Sequence, residues 1–261
     1  MAVDKEKKKK FTEEVKYLKG KIDNVNQKIM KVQKEESNEN LKKVLIASQF
    51  IDMVSIYCAM NDLSVNLLGF KNDSYLDLGR KNLYKAISSL EEVFSYVIDM
   101  PLGENHELLK SLDDRFDDSR RLKLVKKIGY TISLLSDRYG KDSKWKWSFV
   151  EFKGRYAVLA KNMFDFRSYQ EKNNPEYEGF DDRYDYLYLV KDLLIEASSR
   201  YREKYELTDH SHDDMKKAID FLRALKRIHI LFNEKKEVQN ITKRIELWSQ
   251  KLEADMKEKE K

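Results

Sequence analysis

Near the start of the chain, Phe11, Val15, Leu18, Ile22, Val25, Ile29 and Val32 follow one another at intervals that alternate between four and three residues. Only a helix brings such residues onto one side, because a strand places every second residue on a face. The stripe occupies two positions in seven. That is narrower than the face a helix buries in a globular core, and it predicts a coiled-coil seam laid along another helix. Gly20 is its weak point, since glycine inside a helix costs about 1 kcal/mol. The pattern returns at the far end, where Val238, Ile241, Ile245, Trp248 and Leu252 step three, four, three, four. Two terminal seams predict either an antiparallel pair between the chain's own ends or pairing with a second copy as a homodimer.

The intervening sequence has few breakers. Two prolines and eight glycines in 261 residues leave long runs rich in Lys, Glu, Leu and Asp, so the expected fold class is all-α. About eight helices are predicted, as an antiparallel bundle or an array of helical hairpins. After the first come helices over about 41–68, 73–97, 112–139, 143–172, 181–207 and 211–235, then the last from 238. Ser37 to Asn40 cap the second, Pro101 stops the third, and Asn173 to Pro175 stop the fifth. This gives a basic tail and heptad helix over 1–36, a helical core over 37–235 with an internal boundary near 101–104, and a C-terminal heptad helix with a charged tail over 236–261.

Charged side chains make up 37% of the chain and apolar ones 41%, enough for both a large solvated surface and packed helix faces. The 51 basic and 46 acidic groups nearly cancel to +5, a weak signal for nucleic acid. The concentrated basic run, Lys5 to Lys10, reads as a solvated terminus. Cys58 is the only cysteine, which excludes an intrachain disulfide and a cysteine-built zinc site and fits a reducing, cytoplasmic setting. No run of about 18 apolar residues is evident, so no membrane span is expected.

Catalytic motifs are scarce. The sequence has no GxGxxG, no Walker Gly-Lys-Ser/Thr and no GxSxG, and no cofactor is implied. Two acidic segments are similar: Asp113-Asp114-Arg115-Phe116-Asp117 and Asp181-Asp182-Arg183-Tyr184-Asp185. On helices, Asp113 with Asp117 and Asp181 with Asp185 would each share a face, and facing pairs of carboxylates could hold Mg²⁺ against a phosphate or diphosphate. The competing reading is structural. Both segments stand where a helix begins, a position that favours Asp through the helix dipole, and Asp117 is placed to pair with Arg121. His210-Ser211-His212-Asp213-Asp214 similarly reads as a helix start before a metal site. A third reading would bind nucleic acid through Lys5 to Lys10 and Arg120, Arg121, Lys123, Lys126 and Lys127, although a helix with acid first and base later accounts for the second group.

Aromatic residues crowd between Trp145 and Tyr188, and most must be core. Trp147 falls off the face made by Trp145, Phe149, Phe152 and Tyr156, while Tyr177 and Phe180 belong to a loop with no helical face to bury them. Trp147, Tyr177 and Phe180 are therefore the candidate partner-binding anchors, because Trp and Tyr outside a packed stripe are the usual make-up of interfaces. Taken together the sequence favours a non-enzymatic scaffold, adaptor or assembly component whose partner is another protein or a second copy. The alternatives are a Mg²⁺-dependent phosphate or diphosphate enzyme and a nucleic-acid binder.

Overall fold

The computed structural model describes residues 4–259. Among them are ten α-helices, one π-helical turn and no strand, so the protein is all-α. The helices are α1 Lys5–Lys34, α2 Glu39–Leu63, α3 Asp73–Phe94, α4 His106–Leu112, α5 Asp118–Tyr139, α6 Lys146–Asn162, α7 Phe166–Glu171, α8 Phe180–Leu207, α9 His212–Leu231 and α10 Lys235–Lys259. Contacts divide the described chain into two compact units: residues up to Val93 with Leu124–Lys146, and Phe94–Lys123 with Trp147 onwards. The chain passes between units at 93/94, 123/124 and 146/147, so residues 101–104 lie inside the second unit. Residues 1–3 and 260–261, the outer ends of the two terminal segments delimited from sequence, lie outside the described residues.

In the first unit, Asp4 caps α1 by accepting the amide of Glu6 at 3.1 Å, and Asn38 caps α2 by accepting the amide of Asn40 at 2.9 Å. Along α1, Val15, Val25 and Ile29 are buried and Phe11, Leu18, Ile22 and Val32 are half-buried, while every other residue from Asp4 to Lys34 is exposed. This seam rests on α2 and the π-helical turn Ser64–Leu68 that continues it. Val25 and Ile29 pack with Met53, and Ile22, Ile46, Phe50 and Tyr57 surround them. Burying each such aliphatic side chain stabilises the pair by about 1.5–3 kcal/mol, which a helix with so narrow a face needs. Within the chain, then, the seam of α1 is covered by its neighbour in sequence, joined through a short 35–38 connection, where the sequence pattern pointed to the far end.

α2 corrects a further expectation. Glu39–Leu68 is, by length and composition, long and apolar enough to cross a membrane, with 44% of its apolar window buried in the fold. It is apolar on several sides because several neighbours cover it: Val44, Ala47, Ile51 and Val54 are almost inaccessible. Its two inner carboxylates are held by α5, Asp52 by Lys127 at 2.7 Å and Asp62 by Arg138 at 2.6 Å. Those are the contacts of a core helix. Cys58 is 1% exposed on the same helix, and burial pushes its thiol up to about 11, leaving a small inert hydrophobe.

The second unit is organised by α8, which packs against α9, and by α10, which packs on α9 in turn. On α10, Ile241, Trp248 and Leu252 are buried and Val238 and Ile245 half-buried, so this seam too faces the adjacent hairpin partner. Gly154 on α6 is required by close approach. A methyl group there would stand 2.5 Å from the ring of Tyr201 on α8, which itself stacks on Phe221 of α9 at 5.6 Å.

Among the helix boundaries that differ from those read in the sequence, three have an identifiable reason. α3 ends at Phe94, before Val97, because side-chain amides capture its last carbonyls: Asn105 donates to Phe94 O at 3.1 Å and Asn162 to Ser95 O at 3.0 Å, with Ser95 left-handed at φ 71°. The stretch 143–172 is two helices, because Asp165 caps α7 through the amide of Ser168 at 3.0 Å. The stretch 112–139 opens instead with the end of α4 and a turn, and α5 begins only at Asp118.

Candidate interaction surface

The acidic segment before α5 is committed to structure. Asp117 sits at the N-cap of α5 and accepts the amide of Arg120 at 2.8 Å, and its second oxygen stands 3.5 Å from the Arg120 guanidinium. Arg121, which the sequence reading paired with Asp117, turns inward instead and is 2% exposed. Asp113 meets it at 2.8 Å, Asp118 forms a second, shorter ion pair with it, and the carbonyl of Phe116 accepts from it at 3.0 Å. Arg183 of α8, also buried, approaches the other oxygen of Asp118 at 3.5 Å. Burial works against the charge of Arg121, yet Asp118 and Asp113 more than offset it and hold its pKa above the ordinary arginine value.

The second acidic segment is differently placed. Asp181 and Asp182 lie in the first turn of α8, where the helix dipole stabilises carboxylates, and Asp181 and Asp185 are exposed. Among the described residues no three His, Cys, Asp or Glu side chains come close enough to hold a metal ion. The Mg²⁺ arrangement of Asp113, Asp117, Asp181 and Asp185 therefore has no geometric support. The basic group of α5 is similarly occupied: Arg120 and Arg121 serve the acidic turn, and Lys127 serves Asp52.

Three of the four histidines, His106, His229 and His210, have structural partners. His106 meets both carboxylate oxygens of Asp165 at 2.9 and 3.0 Å, and His229 meets Glu234, which also takes Lys191 at 2.7 Å. His210, left-handed at φ 51°, lies edge-on to Tyr205, and Asp214 pairs with Lys204 at 2.9 Å. Lys161 is 2% exposed and donates to the carbonyl of Met100 at 3.0 Å; burial pushes its amine down to about 8 against the attraction of Asp99. The neighbouring amides of Asn105 and Asn162 are engaged on backbone carbonyls, so this region secures the 94–105 segment.

Several aromatic side chains of the second unit remain exposed. Of the three anchors read from sequence, Tyr177 is 50% exposed, while Phe180 and Trp147 are half-buried. Tyr177 rides on a turn in which its amide bonds Asn174 O at 3.0 Å and its carbonyl accepts Phe180 N at 3.1 Å, and Gly179 at φ 75° then admits the chain into α8. Phe180 begins a row whose other members the sequence pattern does not set apart from the core aromatics: Phe180 stacks on Tyr184 at 5.9 Å, and Tyr184 lies 4.6 Å from Tyr188 and donates to its hydroxyl at 3.1 Å. Tyr184 is 43% and Tyr188 48% exposed, with Ile195 two turns on at 40%. The opposite face of α8 buries Tyr186, Leu187, Val190 and Leu194. The signal was present as phase: 180, 184 and 188 share one helical face and 186, 190 and 194 do not. Trp147, on α6, is separate in sequence from this row.

Comparison with curated proteins gives no match, and comparison with solved structures gives none. A family model does match, over residues 7–256, nearly the whole described chain, and the protein belongs to the TP0443 family.

Proposed function

We propose that the protein is a non-enzymatic scaffold or adaptor that captures another protein on the outer face of α8. The row Phe180, Tyr184 and Tyr188, extended by Tyr177 before it and Ile195 after it, carries this reading. Tyrosines joined ring to ring on a rigid helix supply contact area at low entropic cost and favour use as interface anchors. The narrow hold of α1 and α10 on their neighbours fits a molecule that works by presenting helical surfaces. Affinity capture with the full chain, beside a Tyr177→Ala/Tyr184→Ala/Tyr188→Ala chain, tests it. A partner retained by the first and lost by the second, at equal Tm, is the expected result; equal recovery by both would remove these tyrosines from the interface.

A further inference from the structure

Charge on the α8 face narrows the chemistry of the partner. Between Glu176 and Asp192 the sequence carries six carboxylates, Glu176, Glu178, Asp181, Asp182, Asp185 and Asp192, and two bases, Arg183 and Lys191. Both bases are turned inward and at most 7% exposed, Arg183 against Asp118 and Lys191 against Glu234. All six carboxylates are exposed or half-exposed, so this stretch shows solvent only negative side-chain charge, interleaved with Tyr177, Tyr184 and Tyr188. It does so on a chain whose net charge is +5. Resting on the interface reading above, we infer that the occupant of this face is a lysine- or arginine-rich segment of a partner protein.

The two components of the surface act on the same ligand. Tyrosine rings attract a cation over their faces, and carboxylates beside them add ion pairs and steer its approach. The protein already uses this contact: Lys191 Nζ stands 5.5 Å from the centroid of Tyr188, Lys21 Nζ 4.7 Å from that of Tyr17, and the Arg80 guanidinium 3.8 Å from that of Trp145. Nucleic acid and anionic lipid are repelled by the same charges. A compact metal cation lacks a cluster of ligands among the described residues.

A displayed library of random peptides, selected on the immobilised full chain in low salt, tests the inference. Enrichment of Lys- and Arg-rich sequences supports it, with affinity falling at least about tenfold in Tyr184→Ala/Tyr188→Ala and several-fold, mostly through slower association, in Asp181→Asn/Asp192→Asn. Raising salt toward 0.5 M should weaken the same peptides further, since exposed charges are screened. Enrichment of apolar or acidic peptides that still need Tyr184 and Tyr188 would overturn the basic partner and leave the interface in place. Peptides indifferent to both tyrosines would overturn the interface as well. Self-association in light scattering, abolished by Lys8→Glu/Lys9→Glu, would name the basic run of a second copy as the occupant and overturn a foreign partner.

Discussion

The two acidic segments, 113–118 and 181–185, are nearly the same in letters and opposite in use. In the first, the phenylalanine at 116 is buried, the chain turns before α5, and three carboxylates close on a cap and on a guanidinium that has almost no access to water. In the second, the arginine at 183 points inward to Asp118 and the tyrosine at 184 outward, so Asp181 and Asp185 are left at the surface. One segment supplies the counter-charge for a core; the other colours a surface. The pattern of aspartates says nothing about which, because that depends on where the intervening basic and aromatic residues go.

The contrast can be broken most severely at Arg121. Arg121→Ala should lower stability by about 3–5 kcal/mol in denaturant unfolding, because it strands Asp118 beside the core; a loss under about 1 kcal/mol would mean the guanidinium is not held as described. Asp118→Asn comes next, at about 2 kcal/mol, since it weakens the hydrogen-bonded ion pair with Arg121 and the longer one with Arg183, both buried. Asp117→Ala removes only a cap and should cost about 1 kcal/mol. In the other segment Asp181→Asn should stay within about 0.5 kcal/mol, and a cost matching that of Asp118→Asn would erase the distinction. Smallest of all is the response to millimolar Mg²⁺, where the Tm is expected not to move. A rise that vanished in Asp117→Ala/Asp185→Ala would instead place a cation between the segments.

Local patterns carried the helical class and the helix faces. The a/d residues of α1 and α10 could be read because each seam repeats over several turns and nothing else on those helices is apolar at that spacing. Their partners could not, since an a/d stripe specifies a helix-shaped groove and not which helix provides it. The α8 surface was half legible. Tyr177 and Phe180 stood out as loop aromatics, whereas Tyr184 and Tyr188 were hidden among core residues until Tyr186 fixed the phase. Arg121 was unreadable for a different reason: an arginine among Arg120, Lys123, Lys126 and Lys127 looks like one more surface base. Only the turn formed by Asp113 to Asp118 shows that it is enclosed.

The amides that stop α3 imply something about what sets that boundary. Asn105 and Asn162 lie 11 and 67 residues beyond the carbonyls of Phe94 and Ser95 that they hold. Locally, the Ser95 hydroxyl accepts the amide of Val97 at 3.2 Å, and the two amides reach the same end from later in the chain. The end of α3 is therefore specified largely from afar, by side chains that lie outside the helix they terminate.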